Sequence, residues 1–334
     1  MNDWNVTDYA AKDNLLRVLR REAEALFEMA ENGPWTGATA CTEWETRDVV
    51  GHLIDVTESY FTGFDAAREG LAVDEPLGLR VMQQRLDEGA KEYRGLDQGE
   101  AIARLRSDFE KMMEISEALG PGEWGGLQVA HKYMGPLPAF FYPWFQLVDY
   151  GMHGWDIRQG TGRAHGLMGD TADLLAPLMF IVWQATADVP SDLDAYAVGI
   201  RVSGSNAQDY LVNVGVDGLS YAQEDVSGLP AVIEFDPGSL VLTAFGRVNA
   251  GTIRGDRDVA DQFLNSFFRI LKGRLAYGSR RYRGGACPAA RRLHHRGPAA
   301  EQRARDPSHR AAQLRRGADD PVLPGGPGVP ADRD

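Results

Sequence analysis

Cysteine is nearly absent. The 334 residues hold two, Cys41 and Cys287, too few for a disulfide framework, so a reducing cytoplasm is the expected setting. No apolar run approaches the roughly 20 residues that a membrane-spanning helix needs. The opening MNDWNVTDYAAKDNLL has no basic region followed by an apolar stretch, so no secretory signal is expected. Phosphate-loop, dinucleotide and G-x-S-x-G signatures are all missing, which removes the commonest nucleotide-binding and serine-hydrolase classes. A basic surplus is missing too: the formal net charge is -13. Its distribution is uneven. Residues 272–334 carry 14 Lys and Arg against 6 Asp and Glu, which leaves 21 against 42 in residues 1–271. A body of net -21 repels phosphate backbones and anionic membranes, so neither nucleic acid nor membrane is expected as a partner.

What is present is a globular composition, 43% hydrophobic and 25% charged, long enough for two domains. Residues 272–334 are rich in Arg, Ala, Gly and Pro without a sustained period. They are expected to be a disordered or out-of-frame tail that joins no core. Before the tail, the first half has helical periodicity. Leu15, Val18, Leu19, Leu26 and Phe27 recur at helical spacing within 9–32, which ends at Gly33-Pro34. A second helix follows TGATACTEWE, with Thr42/Glu45 or Thr46 as its N-cap. Further helices are expected over 79–93 and 98–119, and another begins near Pro143. Long amphipathic helices with varied loops indicate a bundle over 1–165.

The second half changes period. A helix over 171–187 is followed by alternating strands at 196–203 and 209–216 and a short strand at 231–235. Asp236-Pro237 then opens a helix to about 245, 251–254 is another strand, and 259–270 is a closing helix. This mixture indicates a small α+β domain over 166–271.

Three residues stand out chemically. His52 lies between Val49 and Val56 on the apolar face of the second helix. Asp149 and His153, four apart, project from one face of a later helix. Two imidazoles and one carboxylate converging inside a bundle would leave an open position on a divalent ion; zinc is the first choice, and nickel, iron or manganese fit the same donors. Hydrogen-bonded core histidines and a surface Asp–His pair account for the same pattern. Cys41 reads as a small buried loop residue, or as a nucleophile before a helix N-terminus. His131 and His165 lie in loop sequence and are expected to be exposed. The aromatic run Phe140 to Phe145 either packs the last bundle helix or lines a pocket.

ACTEWETRDVVGHLIDV (40–56), followed about a hundred residues later by DYGMHGWDIRQGTG (149–162), resembles the metal-binding N-terminal domain of the mycothiol-dependent maleylpyruvate isomerase family, one of the DinB-like four-helix bundles. AFGRVNAGTIRGD (244–256) and the helix after it resemble that family's sterol-carrier-like C-terminal domain. The resemblance implies that the metal triad of His, Glu and His falls on His52, Asp149 and His153, with aspartate one methylene shorter at the middle position. It also implies a catalytic and cofactor-binding arginine, best matched by Arg247 in the FGR motif, with Arg254 as the alternative. Mycothiol is implied as the thiol cofactor or co-substrate, activated for attack on an electrophilic small molecule. The expected outcome is a mycothiol S-transferase. The alternatives are a maleylpyruvate cis–trans isomerase, a metal-dependent hydrolase, and a non-catalytic metal- or ligand-binding module.

Overall fold

The computed structural model describes residues 3–268 apart from Val73, Arg163 and Ala164. The tail expected over 272–334 lies outside the described residues. Ten α-helices and seven strands occur among the described residues. Helix α1 (Lys12–Asn32) buries Leu15, Val18, Leu19, Leu26 and Phe27 on one stripe, each contributing about 1.5–3 kcal/mol by leaving water. It packs against α4 (Gln98–Ala118) and α6 (Phe141–Gly160). Helix α2 (Thr46–Glu69) completes the bundle, lying on α4, on α6 and on the shorter α3 (Leu79–Glu92). Lys12 ties the bundle end together: its Nζ donates to the carbonyls of Glu117 and Leu119, both at 2.7 Å. This places a cation on the unpaired carbonyls at the C-terminus of α4.

The cap of α2 differs from both sequence expectations. Glu45 is the N-cap, and its N–H donates to Asp48 Oδ2 at 2.9 Å. Arg94 in turn holds the buried Asp48 carboxylate through two bonds of 2.6 and 2.7 Å. Between α4 and α6 the chain also forms the short helix α5 (Pro121–Gly126) and an antiparallel hairpin, β1 (Gln128–His131) with β2 (Gly135–Pro138). Sequence patterning did not show these.

The second half has a sheet of order β5-β4-β3-β6-β7. Its strands are β3 (Tyr196–Val202), β4 (Gln208–Gly215), β5 (Gly218–Gln223), β6 (Ala231–Phe235) and β7 (Thr252–Gly255). Only the β3–β6 pairing is parallel. Strand β5, absent from the sequence reading, follows β4 through a tight turn in which Gly218 takes a φ of 105°. The helix expected over 171–187 is two helices, α7 (Gly169–Leu175) and α8 (Leu178–Thr186), parted by Pro177, whose ring and missing N–H oppose continuation. Helix α9 (Pro237–Ala244) is capped by Asp236, and α10 (Arg257–Leu264) is capped by Asp256. The closing helix is shorter than expected because the chain after it pairs with the end of α8, where Asp188 N–H meets the Ser266 carbonyl at 2.8 Å. Helices α8, α9 and α10 cover the sheet, and Trp183 meets Phe263 edge-on at 5.0 Å.

Candidate metal centre

Helix α2 delivers His52, and α6 delivers Asp149 and His153 one turn apart. Their ligand-type atoms lie within 4.8 Å of one another. His52 Nε2 stands 3.8 Å from Asp149 Oδ1, too long for a hydrogen bond. The two imidazole centroids are 5.1 Å apart, near perpendicular. Both histidines are buried, while Asp149 retains some exposure. His52 Nδ1 is buried without a hydrogen-bond partner, an arrangement that is costly for a polar atom held only by other protein groups. Trp44, from the loop before α2, covers the pair with its ring centroid 5.0 Å from His52 and 5.7 Å from His153. Its Nε1 is anchored on Asp87 at 3.0 Å.

The orientation of His153 is fixed from behind. Its Nδ1 lies 3.0 Å from Asp156 Oδ2, so Nδ1–H donates to the carboxylate and the Nε2 lone pair is free to bind a cation. Asp156 is fully buried and carries two bonds of 2.8 Å from the Arg247 guanidinium, to Oδ1 and Oδ2. The Cys41 Sγ–H donates to the same carboxylate at 3.1 Å, and Arg247 Nη2 meets that sulfur at 3.2 Å. Burial opposes ionisation of Asp156, yet Arg247 and the His153 bond prevail and hold its carboxyl well below the usual range. Burial lowers the His153 imidazole, keeping it neutral, and raises the Cys41 thiol far above its ordinary value. The nucleophile reading of Cys41 therefore fails at neutral pH, because its thiolate is unpopulated. Cys41, His153 and Asp156 also cluster within 4.8 Å, but the Arg247 guanidinium already supplies the positive charge there.

The sequence-designated arginines separate. Arg247 reaches the centre through Asp156, whose carboxylate it grips. Arg254 is exposed on β7 and pairs with Glu234 at 3.1 Å, so the structure does not bring it to the centre.

His52 and Asp149 lie at one side of a cavity of about 190 Å³. Its wall is mostly apolar, with Met82, Leu86, Phe141, Phe145 and Ile181 prominent. The aromatic run thus divides: Phe141 and Phe145 line the cavity, while Tyr142 and Trp144 are core. His131 also lines the cavity and is buried, contrary to the exposed loop position expected for it. Burial pushes its imidazole down to about 4. His165 is half-buried, its carbonyl receiving the Trp155 indole N–H at 3.0 Å. Sequence reasoning missed Asp156 and His131 as site residues. Asp156 had a usable signal, its i+3 spacing from His153.

The profile of the family described as mycothiol maleylpyruvate isomerase N-terminal domain matches residues 16–158. A search of curated proteins finds no match. Among solved structures, the chain is similar to a mycothiol-dependent maleylpyruvate isomerase, with a TM-score of 0.48 and 11% identity, covering 72% of this chain and 92% of that one. It is also similar to the colibactin self-resistance protein ClbS, crystallised with double-stranded DNA, with a TM-score of 0.40 and 13% identity over 46% and 97% of the two chains. None of the described helices is long and apolar enough to cross a membrane.

Proposed function

We propose that this chain is a metal-dependent enzyme that uses mycothiol to attack an electrophilic small molecule, a reading supported by the match of residues 16–158 to the mycothiol maleylpyruvate isomerase N-terminal domain. The carrying observation is the convergence of His52, Asp149 and His153 on one point at the side of an apolar cavity. The donor set fits a divalent ion. The three ligand-type atoms lie within 4.8 Å of one another, close to the separation of about 4 Å set by two zinc bonds of about 2.0–2.2 Å. His52 Nε2 stands 3.8 Å from Asp149 Oδ1, too far for a hydrogen bond and suited to two ligands of one ion. A zinc ion held there supplies stabilisation of a thiolate at neutral pH.

The protein's own groups do the rest. Asp156 keeps His153 in the tautomer whose Nε2 faces the ion site, and Arg247 keeps Asp156 ionised. Trp44 shields the two imidazoles from bulk water, and the cavity receives the second substrate. Two outcomes follow from addition of sulfur to an unsaturated carbon. If the adduct rotates about the former double bond and expels the thiolate, the result is cis–trans isomerisation, the reaction in the family's name. If the adduct is kept, its carbanion takes up the proton that the thiol released and the result is S-transfer; the apolar cavity wall favours this second reading.

The test is to incubate zinc-loaded protein with mycothiol and, separately, maleylpyruvate or an uncharged enone, with products read by mass spectrometry and NMR. Thiol-dependent turnover of either substrate, abolished in His52→Ala, supports the reading. Turnover that is independent of both thiol and metal overturns it.

A further inference from the structure

The cavity's charge inventory limits what its second occupant is. Its lining includes the anionic side chains Asp55 and Asp149 and a single lysine, Lys132, which is exposed. Arg247, the nearby guanidinium, is committed to Asp156 and does not line the cavity. A divalent ion held by Asp149 together with a thiolate would have its two charges met, which would leave no surplus positive charge for a carboxylate. Moving a dicarboxylate out of water into this cavity would leave its two charges with no buried cation to meet them, a heavy penalty.

Besides His52, the neutral polar side chains of the wall are Ser59, Tyr60, His131, Tyr133 and Thr186, and the hydroxyls of Ser59 and Thr186 already donate to the carbonyls of Val56 and Val182. His131 Nδ1 accepts the backbone N–H of Tyr133 at 3.2 Å, which fixes the proton on Nε2. The His131 ring makes no other hydrogen bond among the described residues, so its Nε2–H is a spare donor in the cavity wall. Beside it, 5.9 Å between ring centroids, stands Tyr60, which also lines the cavity. Tyr142 and Phe145, at 6.3 and 5.8 Å from the imidazole, hold the ring in place. Met82, Leu86, Phe141 and Ile181 offer the cavity only carbon and sulfur surface.

We infer that His131, with Tyr60 beside it, selects an uncharged and largely apolar second substrate that carries one acceptor oxygen, such as a carbonyl, and excludes dicarboxylates. This names the substrate class of the cavity in the function proposed above and rests on that reading. The apolar body fills the cavity, and its oxygen accepts the His131 Nε2–H; Tyr60 supplies a second hydroxyl donor within reach of the same region.

The experiment measures binding of two unreactive probes, 4-phenylbutan-2-one and maleate, to the full chain loaded with zinc and saturated with mycothiol, by calorimetry. The ketone binds, and His131→Phe weakens it by about tenfold, the worth of one neutral hydrogen bond in a dry site. His131→Gln, which retains a donor, recovers most of that loss, and maleate does not bind at millimolar concentration. Maleate binding as tightly as the ketone overturns the inference, as does ketone affinity unmoved by His131→Phe. Should the phenylalanine variant fail to fold, nitrogen-15 NMR of the wild-type imidazole decides. The Nε2 resonance moves on adding ketone if His131 is the donor, and stays in place if it is not. Zinc content and mycothiol binding are measured on the same samples. Ketone selectivity without zinc or thiol binding refutes the proposed function alone, whereas zinc and thiol binding without ketone selectivity refutes this inference alone.

Discussion

Replacing Asp156 with asparagine removes the charge that Arg247 was buried to meet. Both side chains are almost wholly inaccessible, at 0% and 2% exposure, and two 2.8 Å bonds join them. Deleting one member of such a pair leaves the other charge uncompensated, at a cost of about 3–5 kcal/mol. The asparagine amide still offers the guanidinium one acceptor, which puts the expected loss near the lower end, about 3 kcal/mol. Urea unfolding at pH 7 measures it directly, compared at constant m. Acid titration adds a second signature. The folded-state pKa of Asp156 is depressed, so the pair's contribution is fully present above the unfolded carboxyl pKa of about 3.9. It is lost only as pH falls below that value toward the folded one, so wild type sheds this stability in strong acid and Asp156→Asn has none to shed. The same substitution unfixes the His153 tautomer and weakens metal binding by about 10–100-fold. An unfolding free energy within about 1 kcal/mol of wild type, with unchanged metal affinity, would refute the reasoning.

Other outcomes follow from the same geometry. Asp149→Glu keeps an oxygen donor on the same helical face and should retain about one metal per chain, whereas Asp149→Ala should drop occupancy to about a tenth or less on dialysis, both read by elemental analysis. His131 is held neutral by burial, its pKa displaced from 6.5 to about 4. The unfolded chain therefore takes up this proton first. Stability from the neutral imidazole is complete above about pH 6.5 and declines as pH falls toward 4, by up to about 3 kcal/mol. His131→Phe should flatten that part of the stability profile relative to wild type. Gly51, next to His52 on α2, has no room for a side chain, because a Cβ there would strike the Ala90 carbonyl on α3. Gly51→Ala should cost about 1–3 kcal/mol in urea unfolding, and a neutral result would show that α3 yields freely.

The long helices were legible because each carries its own period. Leu15 to Phe27 in α1 and Ile102 to Met113 in α4 repeat every three or four residues whatever surrounds them. The spacing of Asp149 and His153 was readable for the same reason, since one helix fixes it. The hairpin β1–β2 was not: its eight residues include Gly135, Pro136 and Pro138, which read as loop. The burial of His131 comes from Tyr60 and Tyr142 on other elements. Arg247 was found through its motif, but its partner is 91 positions away. No local pattern could reveal that its carboxylate would be an aspartate of α6. Pro177 was visible in the sequence and still passed over, because apolar residues continued on both sides of it.

The proposed chemistry requires His52, Asp149 and His153 to share one divalent ion. Elemental analysis of the purified full chain, beside a His52→Ala, His153→Ala double variant shown by circular dichroism to be folded, tests it most directly. The wild type should hold about one equivalent and the variant essentially none, three donors being reduced to one. Stoichiometric metal persisting in the folded variant, or a wild type that binds none when zinc is supplied, would contradict it.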